Sequence, residues 1–241
     1  MKKLLPIALM AMMAMPLLAD PKDDVAAAAT KLAGVGNYSW KATMDLGPNS
    51  QFTPGPTEGK VDKDGTTWLS VTFNDNTSIG VKMGDKVAIK GEDGWQSGSE
   101  LTANAGGGGG GGRNPGRMMA RRMENLKAPA AEVQDLLTKS KEISKDGEAF
   151  TASLTEEGAK ALATMGRGRR GGNPPNVSDT KGSVKFWVKD GVLSKYETKV
   201  SGKRANRDGD MQEFERTTTV EISNVGSTKL NLPEDAKKKL S

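Results

Sequence analysis

Five Asp-Gly pairs, at positions 64, 93, 146, 190 and 208, punctuate this chain between runs that alternate apolar and polar residues. Asp-Gly favours tight hairpin turns, because glycine takes a positive φ without strain and aspartate tolerates one. Alternation with a period of two marks a strand with one buried face. Over 67–74, Leu69, Val71 and Phe73 alternate with Trp68, Ser70 and Thr72, and Ile79, Val81 and Met83 continue the pattern. Gly84-Asp85 then turns into Val87 and Ile89, and Asp93-Gly94 into Trp95. Further strands are expected over 39–46, 59–61, 149–154, 183–188, 193–200 and 212–224, about ten antiparallel strands in all. The Lys-Asp-Gly triplets at 145–147 and 189–191 follow no fixed period, which argues against a solenoid or propeller.

Helical signals surround these blocks. Asp20-Pro21 reads as an N-cap followed by proline at the first helical position; Val25, Ala28, Ala29 and Leu32 recur at helical spacing, and Gly34 and Gly36 stop the run. Helices are also expected over 118–127, from Pro129 with the stripe Val133, Leu136 and Leu137, from Thr155 to Gly166, and from Pro233 to the C-terminus. The order helix, strands, helices, strands, helix defines an α+β chain: a large antiparallel sheet with helices on one face.

Lys2 and Lys3 precede an apolar stretch from Leu4 to Met15 that is too short to span a bilayer and is broken by Pro16. Leu17-Leu18-Ala19 supplies a cleavage site, so residues 1–19 are expected to be a bacterial-type signal peptide. Residues 20–241 form a single domain in the periplasm or beyond. No lipobox cysteine is present.

The chain contains no Cys and no His, which excludes disulfides, thiolate or imidazole metal sites, cysteine nucleophiles and histidine-based triads. An enzyme would have to rely on carboxylates, Ser, Lys or Tyr, and the expectation is a non-enzymatic protein. Glu156 and Glu157 are adjacent, so on a helix they diverge by about 100° and cannot face one substrate. They suit a helix start instead. Asp62, Asp64, Asp75 and Asn74 lack the regular spacing of a calcium loop and read as turn residues. No metal and no cofactor are expected.

Two segments, 105–116 with seven consecutive glycines and the Gly/Arg/Pro-rich 166–175, read as flexible loops. The glycine run lacks the Gly-Lys-Ser/Thr ending of a phosphate loop. Arg117, Arg121 and Arg122, with Arg167, Arg169 and Arg170, form basic segments; without interleaved aromatic residues they do not point to nucleic acid. Solvated charge is the plain reading of these arginines, and contact with anionic lipid headgroups the functional one.

The apolar parity of the strands is the remaining feature. Leu69, Val71, Phe73, Ile79, Val81, Met83, Val184, Phe186 and Val188 are expected to line one face of a curved sheet. That face is either an ordinary core or one wall of an apolar groove able to hold an acyl chain.

The segment Gly182–Gly202 (GSVKFWVKDGVLSKYETKVSG), followed by Thr217–Glu234 (TTTVEISNVGSTKLNLPE), resembles the C-terminal strands of the LolA-like superfamily. That group includes periplasmic lipoprotein carriers and lipid-binding lipoproteins of the LppX/LprG kind. The resemblance implies an unclosed half-barrel of about ten strands, with helices over a concave face that holds lipid or lipoprotein acyl chains. The membrane surface and an envelope protein are the further partners it allows. A second function from a different class is a periplasmic sensor or scaffold of the RseB-like kind, in which the sheet binds a protein partner.

Overall fold

The computed structural model describes residues 20–48, 50, 52–73, 76–103, 114–165, 176–206 and 209–241. The expected signal peptide, residues 105–113 of the first glycine-rich loop and all of 166–175 lie outside the described residues.

In chain order the elements are α1 (Pro21–Val35), β1 (Tyr38–Asp45), β2 (Thr57–Val61), β3 (Thr67–Phe73), β4 (Asn76–Met83), β5 (Lys86–Gly91), β6 (Gly94–Ser97), α2 (Gly98–Ala103), α3 (Pro115–Glu124), α4 (Pro129–Lys139), β7 (Ser144–Asp146), β8 (Ala149–Ser153), α5 (Glu156–Thr164), β9 (Val177–Lys189), β10 (Val192–Ala205), β11 (Met211–Ser223) and α6 (Glu234–Leu240). All eleven strands form one antiparallel sheet in the order β6-β5-β4-β3-β2-β1-β11-β10-β9-β8-β7. β6 and β7 remain as free edges, so the sheet is an unclosed, curved half-barrel and the chain is α+β. Both edge strands are short, which limits the row of unpaired backbone groups they present.

The turn chemistry explains the sheet's regularity. The glycine of every Asp-Gly pair has positive φ: Gly65 82°, Gly94 109°, Gly147 60°, Gly191 71° and Gly209 97°. At the β9–β10 connection Asp190 also has φ 54°, so both central residues are left-handed, as the favoured two-residue hairpin requires.

Helix α1 starts where the sequence places it. Asp20 Oδ1 accepts from the Lys22 N–H at 2.9 Å, Pro21 occupies the first turn, and Gly36 ends the helix at φ 78°. Its stripe Val25, Ala28, Ala29 and Leu32 is buried against the sheet and α4, and burial of Leu32 alone is worth roughly 1.5–3 kcal/mol. Residues 114–116 correct the loop assignment. Asn114 caps α3 by accepting from the Arg117 N–H, and Pro115 and Gly116 are already helical, because proline fits a first turn whose N–H needs no partner.

Helices α1, α3, α4 and α5 cover the concave face, where they join the main core. A small residue lets α3 approach, since a Cβ at Gly80 would lie 2.7 Å from Met123 Cγ, and within the sheet a Cβ at Gly59 would lie 2.0 Å from the Trp40 ring of the neighbouring strand. The C-terminal helix α6 does something the sequence reading did not anticipate. It lies on the opposite face, where Leu240 packs with Val81 and Ala88 in a second, smaller cluster flanked by Trp68, Trp95 and Leu232.

Candidate functional site

Cross-strand register decides which expected groove residues share a face. Leu69 pairs with Gly80, which touches α3, so Leu69 and Val71 face the helices. Ile79 pairs with Ser70 and Val81 with Trp68, so Ile79, Val81 and Met83 face the other way. The expectation that these three continue the wall of Leu69 and Val71 is corrected. Phe73 pairs with Asn76 at the end of β3, and its side chain lies outside the described residues.

Val184, Phe186 and Val188 do face the helices, and Phe186 lies between Phe150 of β8 and Tyr196 of β10. Their burial is that of a core. Phe186 is 0% exposed, Leu69 and Val184 are buried, and only Val71 and Val188 are half-buried. In this conformation the chain's own helices fill the central part of the concave face.

The three described arginines do different things. Arg117 Nε donates to the Leu101 carbonyl at 2.9 Å, pinning α3 to α2. Arg121 is exposed in the last turn of α3. Arg122 Nη2 donates to Thr57 Oγ1 at 3.2 Å, and although its side chain reaches solvent, the surrounding protein lowers its pKa by desolvation. Arg167, Arg169 and Arg170 lie outside the described residues.

One opening lies where α1 crosses the end of the sheet. A cleft of about 900 Å³ is bounded by α1, by the β7–β8 turn and by the β9–β10 turn. Its volume falls within the roughly 300–1,000 Å³ typical of small-molecule sites. Phe150 and Val188, with Ala27 and Ala28 of α1, give it an apolar lining, whereas the Trp187 ring, on the other side of β9 from Val188, lies 4.7 Å from Lys195 Nζ. Lys31, Lys145 and Lys189 carry positive charge into it, and Asp24 and Glu148 carry negative charge.

The local geometry follows from register. β8 pairs with β9 so that Ala149 opposes Trp187 and Phe150 opposes Phe186, which brings the two Lys-Asp-Gly triplets to one end of the sheet. Lys31 Nζ donates to the Asp190 carbonyl at 2.9 Å and so sits over the β9–β10 turn. Lys145 Nζ lies 5.8 Å from the centre of the Phe150 ring. Of the expected groove residues, only Val188 lines this cleft. The sequence reading missed Lys31, Lys145, Phe150 and Lys189, although the repeated triplet carried the signal for two of them. A second hollow of about 300 Å³ is lined by Glu142 and by residues of β7, β8 and β9 that include Ser144, Thr151, Ser183 and Lys185.

Among the described residues, no group of three or more His, Cys, Asp or Glu side chains could hold a metal ion, and no helix is long and apolar enough to cross a membrane.

The fold and cleft together define a class: an open α+β half-barrel with helices over its concave face and a lysine-edged apolar cleft at one end. No family model matches the chain, and no curated protein matches it. The solved structures similar to it include two mycobacterial proteins. One is the lipoprotein LppX of Mycobacterium tuberculosis, at 10% sequence identity and a TM-score of 0.45, covering 88% of this chain and 98% of that one. The other is LprF of Mycobacterium bovis, at 10% identity and a TM-score of 0.45, covering 90% of this chain and 97% of that one.

Proposed function

We propose that this chain is an exported, non-enzymatic protein of the cell envelope that binds a lipid or the acyl chains of a lipoprotein. The observation that carries the reading is the 900 Å³ cleft, whose lining of Phe150 and Val188, with Ala27 and Ala28, offers apolar surface to an acyl chain. Burying such a chain contributes roughly 25 cal/mol per Å² of apolar area, so no covalent chemistry is needed for affinity. Export is supported by the Lys2-Lys3 pair and the Leu4–Met15 stretch, which place the mature N-terminus at Asp20 in the periplasm or beyond. The membrane surface is the natural place to collect and deliver such a ligand.

Organic-solvent extraction of the protein purified from the periplasmic fraction, followed by mass spectrometry, tests the reading. Recovery of a stoichiometric lipid is the expected result, and a lipid-free protein that binds no fluorescent fatty acid overturns it.

One observation favours the sensor or scaffold reading instead. Phe186, Leu69 and Val184 are packed as core, so the centre of the concave face holds no ligand in this conformation. In that reading the sheet presents its surface to an envelope protein, and the purified chain carries no lipid.

A further inference from the structure

We infer that the cleft selects acyl ligands with an anionic head, and that Lys31, Lys145 and Lys189 are the residues that read the charge. This rests on the acyl-binding reading and adds the chemical class of the head.

Three lysines from separate elements line one cleft: Lys31 of α1, Lys145 of β7 and Lys189 at the end of β9. Among the described residues none of the three is in a salt bridge. Lys31 Nζ rests on a neutral carbonyl, that of Asp190, at 2.9 Å. Lys145 Nζ lies 5.8 Å from the centre of an aromatic ring, that of Phe150, and points its charge at no acid. Lys189 is exposed.

Cations held this way are poised. A carboxylate or phosphate oxygen at the mouth would gain charge-assisted hydrogen bonds without breaking an ion pair first. The two acids in the lining have other positions to serve: Asp24 lies in the first turn of α1, where negative charge suits the helix N-terminus, and Glu148 is exposed in the β7–β8 turn. With three cations against two acids, an anion is the favoured guest. The same lining is apolar at Phe150 and Val188, so one ligand can meet charge and apolar surface together. That combination matches a single-chain amphiphile with a carboxylate or phosphate head.

The test compares equal tails on different heads. Binding of dodecyl phosphate, dodecanoate and dodecanol to the full chain is followed by titration calorimetry. The anionic probes are expected to bind about tenfold tighter than dodecanol, a few-fold from each exposed lysine. In Lys31→Ala/Lys145→Ala/Lys189→Ala all three probes should bind as dodecanol binds the unaltered protein. High salt should shrink the advantage in the parent chain without the need for a variant. A preference for phosphate over carboxylate would point to a phospholipid source, and the reverse to free fatty acid.

Equal affinity for charged and neutral heads overturns the inference, and so does an advantage that survives removal of the lysines. If, with equal affinities, Val188→Asp abolishes binding of both, the acyl-binding reading stands while the charge selection falls. If no probe binds but solvent extraction yields a lipid, this cleft is not the site. If neither is seen, both ideas fall together.

Discussion

The Tyr196 hydroxyl donates a 2.6 Å hydrogen bond to Glu132 Oε2, tying the first turn of α4 to the middle of β10 inside the protein. Beside it the Tyr38 hydroxyl accepts from the Ala130 N–H at 3.5 Å, so two tyrosines from neighbouring parts of the sheet hold the same helix end. Burial raises the pKa of Glu132, and the Tyr196 bond only partly opposes it. Asp135 raises it further, and it pairs with Lys127 and Lys139, the nearby cations. The helix is therefore anchored by a carboxyl group whose ionised form its burial disfavours.

Glu132→Gln should make the protein more heat-stable at neutral pH. The folded pKa of Glu132 lies above its ordinary 4.5, so its favourable contribution is present below that value and is lost as pH rises through the folded pKa. Glutamine keeps an acceptor for the Tyr196 hydroxyl and never ionises. Thermal unfolding across pH should show the variant and parent alike in acid, with the variant gaining as pH rises. A parent that is the more stable at pH 8 would refute this account.

Phe186→Asp should unfold the protein outright. With no exposure and neighbours on both adjacent strands, Phe186 has no route to water for a carboxylate. Loss of a buried phenylalanine costs about 3–5 kcal/mol before the unpaired charge is added, against a total stability of about 5–15 kcal/mol. Circular dichroism decides it, and a cooperative melt near the parent's temperature would show that the helices over this face move aside readily.

How far this could be read from the residues is clearest at the β3–β4 hairpin. Alternation identified both strands, and the Asp-Gly pairs located the turns whose glycines are left-handed in the structure. The facing of β4 was not legible, because it depends on how many residues the connection contains. Phe73 opposes Asn76, so odd positions on β3 lie across from even positions on β4, and Ile79, Val81 and Met83 fall on the side opposite Leu69 and Val71. A one-residue difference in the loop would have reversed that. The cleft was hidden for a related reason. Lys145 and Lys189 are far apart in the chain and meet only because β8 pairs with β9, a long-range register that no local pattern encodes.

Gly80→Val should loosen α3. The added Cβ meets Met123 at its Cγ, close to the helix backbone, where the side chain has little room to yield. Overpacking of this kind costs about 1–3 kcal/mol. Met123→Ala in the same chain should recover part of the loss, since the two changes touch one another and couple. Purely additive losses in the double variant would place the strain elsewhere.

The last prediction concerns α6, which has only seven residues and is held to the back of the sheet by Ala236, Leu240 and an ion pair. Lys239 Nζ lies 2.6 Å from Glu100 Oε1, which joins α6 to α2 across 139 residues of chain. The hydrogen bond from Lys239, aided by the Ser97 N–H, lowers the Glu100 pKa to about 2. A depressed carboxylate stabilises the fold above its ordinary 4.5, and that contribution is lost as pH falls through the interval down to about 2. The pair is exposed, so the effect is small and screened by salt. Trp68 and Trp95 flank the cluster under α6 and report on it directly. Acidification from pH 5 to pH 2 should therefore shift tryptophan emission to the red as the helix frays, and Glu100→Gln should show the red-shifted state already at pH 5. Truncation after Leu232 should produce the same shift at every pH while the main core still melts cooperatively, because Val81 and Ala88 lose their cover and the concave face does not. An emission spectrum unchanged by truncation would mean that α6 does not shield these tryptophans from water.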